Sequence, residues 1–192
     1  EHVMSRKHGG SIAANVQTTR AIEDIASKYG GKVFYSPVGE VNVTALMTAK
    51  KADFGIEGSS GGILWPEVHL CRDSFSAMAL TLEMMALRRQ KISEIMDSIK
   101  HYSSHSAKIE CPSAQTAVNA LRNIAAKYKD MNPVVIDGVR IDFGDSWVLV
   151  RQSNTEPVIR VLAEAENQEK AAALAGSFVS EISPLIKASK KQ

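Results

Sequence analysis

The pattern of apolar residues changes once along this chain, near residue 100, and that change constrains the fold more than any other feature. Before it, short apolar runs alternate with helical periodicity. Residues 11–16 (Ser-Ile-Ala-Ala-Asn-Val) predict a buried strand with Thr18 and Thr19 as candidate helix N-caps. Ile22, Ile25, Ala26 and Tyr29 then recur at helical spacing until Gly30-Gly31 stops the helix. Lys32-Val33-Phe34-Tyr35 is the next strand, which makes a strand-helix-strand unit of the parallel α/β kind. Residues 43–51 predict a short helix, 52–56 a third strand and 63–65 a strand ending at Pro66. A helix begins at about Asp73, a suitable cap, and carries Phe75, Met78, Leu82 and Met85 on one face.

After residue 92 the pattern weakens, and Ser103-Ser104-His105-Ser106 is its least structured point. A boundary is expected there, dividing the chain into residues 1–100 and 101–192. The second part reads as a helix over 113–129, strands over 134–136, 139–143 (after a turn at Asp137-Gly138), 147–150 and 158–163, and a last helix capped by Asn167. That helix turns Leu174, Phe178 and Ile182 inward. Consecutive strands joined by short turns predict an antiparallel sheet with helices on one face. The expected fold is therefore α/β followed by α+β.

Composition narrows the function classes. Lys and Arg number 23 against 21 Asp and Glu, a net charge of +2, so the surface carries no broad basic footprint for nucleic acid or anionic lipid. Few aromatic strand positions argue the same way against a nucleic-acid binder. The longest apolar runs, residues 77–82 and 84–87, fall far short of the roughly 20 needed to span a bilayer, and the start has no apolar signal core. Cys71 and Cys111 suffice for neither a disulfide framework nor a zinc site, which favours reduced thiols in a cytoplasmic protein. The opening Glu1 to His8, closed by Gly9-Gly10, reads as the last turns of a helix, so a fragment of something longer is expected. His69 with Arg72 and Asp73 offers too few ligands for a metal, and Asp73 serves better as a cap. Trp65 and Trp147, in strand patterns, read as buried anchors.

Two loops carry residue types with chemistry. Arg151-Gln152-Ser153-Asn154-Thr155-Glu156-Pro157, with Arg160 after it, lies between two β-patterned runs. Ser, Asn and Thr in a tight turn bring hydroxyl and amide donors together with backbone N–H groups, and the arginines add charge-assisted bonds, all of which suit a phosphate. The same residues also make ordinary hairpin turns. Glu57-Gly58-Ser59-Ser60-Gly61-Gly62, after a buried strand, sets one carboxylate among glycines and serines, where it can accept hydrogen bonds from sugar hydroxyls or simply be a solvated loop. It matches neither GxxxxGK[ST] nor GxGxxG.

In order, Pro37-Val38-Gly39-Glu40, Asp53-Phe54-Gly55-Ile56-Glu57-Gly58-Ser59-Ser60-Gly61, Arg72-Asp73, and Arg151-Gln152-Ser153-Asn154-Thr155-Glu156-Pro157 with Arg160 resemble the C-terminal half of the α-D-phosphohexomutases. These include phosphoglucomutase, phosphomannomutase and phosphoglucosamine mutase. The resemblance spans nearly the whole chain as the third and fourth of four domains. It implies an enzyme that interconverts hexose 6-phosphate and hexose 1-phosphate through a phosphoserine and a bisphosphorylated sugar. By resemblance, Arg151, Ser153, Asn154, Thr155 and Arg160 hold the substrate's non-reacting phosphate, and Glu57 with Ser59 or Ser60 grips the sugar hydroxyls. The loop departs from the usual Gly-Glu-x-Ser-Gly: Ile56 precedes the glutamate and the loop is one residue longer. Gln17 stands where several members have lysine, and Glu40 where several have histidine.

No Thr-Ala-Ser-His-Asn-Pro loop to be phosphorylated and no Asp-x-Asp-x-Asp-Arg loop for magnesium occurs in the chain. The resemblance therefore implies that Mg2+ and the catalytic serine belong to the N-terminal domains of a longer polypeptide, and that this chain alone is inactive. A free-standing sugar-phosphate or anion-binding module is the alternative. Neither nucleic acid nor membrane is expected as a partner.

Overall fold

The computed structural model describes residues 1–7, 9–58, 62–153 and 156–189. The chain forms two compact units, Glu1–His101 and Tyr102–Gln192. The first is built on a four-stranded sheet from β1 (Ser11–Asn15), β2 (Lys32–Ser36), β3 (Phe54–Glu57) and β4 (Gly62–Leu64), in the order β2-β1-β3-β4. β1 pairs parallel with β2 and with β3, while β4 returns antiparallel beside β3. The helices are α1 (His2–Lys7), α2 (Ala21–Lys28), α3 (Glu40–Lys50), α4 (Ser74–Arg88) and α5 (Ile92–Asp97).

The parallel pairs require crossovers, and α2 and α3 supply them. α3 turns Val43 and Met47 onto Ala13 and Leu64 of the sheet, while Ala26 of α2 packs with Met4 and Ile12. Neither Thr18 nor Thr19 is the N-cap of α2, a position Arg20 holds without a side-chain cap bond; Thr19 Oγ1 accepts from the Ala21 amide at 3.3 Å in the turn that leads in. Thr18 is buried and donates instead to Asn15 Oδ1 at 3.1 Å.

α4 reverses one expectation. Asp73 caps it as predicted, accepting from the amides of Phe75 (2.9 Å) and Ser76 (3.1 Å). The face expected to be buried is turned outward, however: Phe75 is 80% exposed, Met78 53% and Leu82 64%. The helix sits on the sheet through Leu80 and Met84, which line an apolar cavity of about 190 Å³ together with Ile12, Phe54, Ile56 and Ile63. Hydrophobic periodicity marks an apolar stripe; which of two stripes meets the sheet is decided by how the preceding Arg72-Asp73 turn enters the helix.

The second unit holds β5 (Ser103–Glu110), α6 (Ala114–Lys127), one turn of 3-10 helix (Lys129–Met131), β6 (Val139–Asp142), β7 (Trp147–Gln152), β8 (Val158–Ala165) and α7 (Gln168–Ser189). The sheet order is β5-β8-β7-β6, antiparallel throughout. Val139, Ile141, Val148, Val150, Ile159 and Val161 face one way and form a core with Ala120 and Ile124 of α6 and Phe178 and Ile182 of α7. The expected architecture, a parallel-type α/β unit followed by an antiparallel sheet with helices on one face, is the one found.

Three local expectations fail for stated reasons. Residues 103–106 form a regular edge strand, because β8 offers an eight-residue partner to a segment whose small polar residues give no β signal. Residues 134–136 make a single bridge, Val134 with Arg140, and Val135 and Ile136 are exposed. Trp147 is a buried anchor at 1% exposure, but Trp65 is only half-buried in a bridge to His69.

The rings of Tyr128, Phe143 and Phe178 pack at centroid distances of 5.3–6.4 Å. Phe178→Ala is expected to cost about 3–5 kcal/mol of stability in this unit, whereas Phe75→Ala on the outward face of α4 stays within about 0.5 kcal/mol; urea unfolding of the two variants measures both.

Candidate functional site

Parallel sheets present the C-terminal ends of their strands together, and in the first unit these ends are polar. Asn15, Ser36 and Glu57 close β1, β2 and β3 and are all buried, Glu57 at 2% exposure. Asn15 Nδ2 donates to Glu57 Oε1, while Asn15 Oδ1 accepts from the Gln17 amide and from Thr18 Oγ1. The amide of Asn15 thus locks the carboxylate of Glu57 into one rotamer from the neighbouring strand.

Arg72 reaches the same place from the loop before α4. Its Nε donates to Glu40 Oε2 (2.8 Å) and its backbone amide to Glu40 Oε1 (2.9 Å), and its Nη1 lies 3.9 Å from Glu57 Oε2. The guanidinium therefore spans two carboxylates, one from the first residue of α3 and one from the last residue of β3. Gly62 makes room for it, since a Cβ there would overlap the Arg72 stem. The Arg72 backbone amide, and then its guanidinium, hold the Glu40 carboxyl below the ordinary glutamate range. A polar ring with a buried, oriented carboxylate and an adjacent guanidinium can accept hydrogen bonds from hydroxyls and donate to oxygens, which is chemistry that suits a sugar.

In the second unit the strand register does the positioning. Arg151 on β7 stands directly opposite Arg160 on β8, and Arg160 directly opposite Lys108 on β5. Residues opposite in an antiparallel pair point to one face, so three cations form a row across three strands. Like charges placed this way repel. Glu156 relieves part of the row, accepting from Arg160 Nη2 at 2.8 Å and Lys108 Nζ at 3.1 Å, and Lys108 chiefly keeps its carboxyl below the usual range. Asp137 Oδ2 lies 3.4 Å from Arg151 Nη2. Arg151 is the innermost cation, its side chain 11% exposed, and its buried Nε has no hydrogen-bond partner among the described residues. Gly138, at φ +86°, lets the preceding turn lie against Arg151, where a Cβ would come within 2.8 Å of the Arg151 Cα.

The row ends at the hairpin between β7 and β8. Ser153 is 6% exposed and its amide donates to Val158 O at 2.9 Å. A pocket of about 250 Å³ opens beside it, lined by Ser113, Ala114, Gln152, Ser153 and Glu156. The row of three cations, answered by the two carboxylates Glu156 and Asp137, thus lies on the strands that the hairpin carrying Ser153 joins.

Of the residues singled out in the sequence, Arg151, Ser153 and Arg160 cluster in this one place, and Glu57 lies at the strand ends of the other unit. Asn154, Thr155, Ser59 and Ser60 lie outside the described residues. Three participants were missed: Asn15, whose one signal is an amide ending an apolar strand; Arg72 as the brace between Glu40 and Glu57; and Lys108, which only the β5 to β8 register brings beside Arg160. Among the described residues no group of three or more His, Cys, Asp or Glu side chains is arranged to hold a metal ion. Nor, among them, is any helix long and apolar enough to cross a membrane.

Comparison with known proteins decides the family. Residues 1–102 match "Phosphoglucomutase/phosphomannomutase, alpha/beta/alpha domain III", and residues 107–181 match "Phosphoglucomutase/phosphomannomutase, C-terminal domain". The chain belongs to the phosphoglucomutase/phosphomannomutase family. Among curated relatives, a probable phosphoglucosamine mutase of Methanopyrus kandleri is 33% identical over 92% of this chain and 39% of its own length. A probable phosphoglucosamine mutase of Thermococcus kodakarensis is 37% identical over 90% of this chain and 39% of its own length. The chain thus spans about two fifths of the relatives it matches. A family structure from Burkholderia thailandensis superposes with a TM-score of 0.76 at 22% identity, over 96% of this chain and 41% of that one. The N-acetylphosphoglucosamine mutase of Aspergillus fumigatus, solved with GlcNAc-6P and magnesium, does so with 0.65 at 13% identity, over 96% and 42%. At these identities the superpositions show the shared mutase fold.

The brace between Arg72 and Glu40 carries a pH signature. Because the folded-state pKa of Glu40 is depressed, its contribution to stability is complete above the ordinary glutamate value of about 4.3 and disappears as pH falls through the depressed value. Thermal melts of Glu40→Gln should therefore lie below those of the parent chain at pH 7, with the gap narrowing as the pH is lowered through the acid range.

Proposed function

We propose that this chain is the substrate-holding part of a phosphohexomutase that interconverts hexose 6-phosphate and hexose 1-phosphate through a phosphoserine and a bisphosphorylated sugar. The carrying observation is the row Lys108, Arg160 and Arg151 running to Ser153: three cations set in mutual repulsion beside a turn hydroxyl, an arrangement that a phosphate dianion relieves. In this reading residues 101–192 are the phosphate-binding domain, with Arg151, Ser153, Asn154, Thr155 and Arg160 on the phosphate that is not reacting. Residues 1–100 are the sugar-binding domain. There Glu57, held by Asn15 and flanked by Arg72, accepts from hexose hydroxyls, with Ser59 or Ser60 beside it.

A sugar phosphate turned end for end presents a phosphate and a ring of hydroxyls in either orientation. Anchors that recognise only those groups serve both half reactions. Phosphoryl transfer itself depends on a nucleophile and on offsetting developing charge. The proposal assigns the serine and the magnesium site to the other domains of a longer cytoplasmic enzyme, as the lengths of the relatives support. The N-acetylphosphoglucosamine mutase solved with GlcNAc-6P and magnesium supports a hexosamine phosphate and that metal for the whole enzyme.

Calorimetric titration of glucosamine 6-phosphate into the chain tests the assignment. Removing one charge-assisted phosphate contact in Arg151→Ala should weaken binding by about 1.5–3 kcal/mol, and Glu57→Ala should weaken it while leaving inorganic phosphate affinity intact. Equal affinity of Arg151→Ala and the parent would remove the assignment. The purified 192-residue chain is expected to show no mutase turnover on hexose phosphates; measurable turnover without a partner fragment would contradict the division of labour proposed here.

A further inference from the structure

A second reactive arrangement lies outside the polar ring, on the loop between β4 and α4. Cys71 is exposed, and its Sγ lies 2.9 Å from His69 Nδ1. The opposite ring nitrogen, His69 Nε2, lies 3.5 Å from Asp73 Oδ2. Within a span of five residues, nucleophile, base and carboxylate are thus relayed in space from Cys71 through His69 to Asp73, the relay that nucleophile activation requires. The carboxylate favours the tautomer with its proton on Nε2, which leaves Nδ1 as the acceptor for the thiol proton.

The loop is held in this shape by bonds that do not involve the thiol. The His69 amide donates to Trp65 O (3.0 Å), Thr44 Oγ1 donates to Leu70 O (3.3 Å), Arg72 is pinned to Glu40, and the Asp73 amide donates to Ile63 O (3.0 Å). Asp73 is itself fixed by capping α4, and its contact with the Ser76 hydroxyl chiefly holds its carboxyl below the ordinary aspartate range. Cys111 provides the contrast within the same chain: it is 6% exposed and its Sγ donates to Ser113 O at 3.3 Å.

We propose that Cys71 is a peroxide-reactive thiol, with His69 as its general base and Asp73 orienting that base. The sulfur attacks one oxygen of a hydroperoxide, so that an S–O bond forms as the O–O bond breaks. The thiol proton passes through His69 Nδ1 to the departing oxygen, giving a sulfenic acid and water or an alcohol. Sulfur loses two electrons and the peroxide gains them. The assignment is independent of the hexose-phosphate reading.

Mass spectrometry after timed exposure of the reduced chain to hydrogen peroxide, with dimedone trapping, measures the rate at each thiol. Cys71 should be trapped at least tenfold faster in the parent than in His69→Gln, with Cys111 untouched in both. Imidazole added to His69→Ala should restore part of the lost rate, which a purely structural histidine would not allow. Should His69→Gln expose Cys111 and so report unfolding, His69→Asn is read by the same criterion. A rate at Cys71 that changes less than threefold on removing His69, or a Cys71 no faster than free N-acetylcysteine, would overturn the proposal.

Discussion

Two arginines facing each other across an antiparallel pair, with a lysine facing the second, are an unfavourable arrangement that the second unit adopts because its register leaves no choice. Val148, Val150, Ile159 and Val161 must all meet the helices, and a slip of one residue would turn that entire set to the opposite face. The apolar face thereby dictates that Arg151, Arg160 and Lys108 share the other side. Burial of the core maintains the charge row, and Glu156 and Asp137 only partly answer it. An anion binding there gains from a repulsion that folding has already imposed, which is how preorganised sites bind without rearranging.

The first unit reaches a comparable end by different means. Its parallel strands stop side by side, and each stops on a polar residue that the neighbouring loops then satisfy: Asn15 to Glu57, Arg72 to Glu40 and toward Glu57. The carboxylate is held by an amide rather than exposed on a flexible loop. In each unit the polar cluster is assembled from adjacent strands, so the sheet itself holds its members together.

How much of this was legible in the sequence depends on whether a feature is local. The strand-helix-strand alternation, the Asp73 and Asn167 caps and the inward face of α7 all follow from neighbours within one or two turns. Glu57, Arg151, Ser153 and Arg160 drew attention in the sequence because they lie in or beside motif-like turns, at the end of β3 and around the turn from β7 to β8. The outward face of α4 was misread because Phe75, Met78 and Leu82 form a good stripe and nothing local says that Leu80 and Met84 meet the sheet instead. β5 was missed because its partner, β8, lies about fifty residues away. Lys108 follows from the same pairing, so no inspection of residues 103–110 alone would have placed it beside Arg160. The Cys71 and His69 pair is the opposite case: two residues apart, but dependent on a loop path that the sequence does not specify.

The central claim is that the Arg151 turn and the Glu57 strand end recognise different parts of one kind of ligand. Amide chemical shifts of the isotope-labelled chain, followed during titration with glucosamine 6-phosphate and separately with inorganic phosphate, test it most directly. The account predicts that the sugar phosphate moves the amides of Arg151 to Ser153 and those of Glu57, Gly58 and Arg72, while inorganic phosphate moves only the first group. Shifts that spare Arg151 to Ser153 with both ligands, or that leave the Glu57 and Arg72 amides unmoved by the sugar phosphate at saturation, would contradict it.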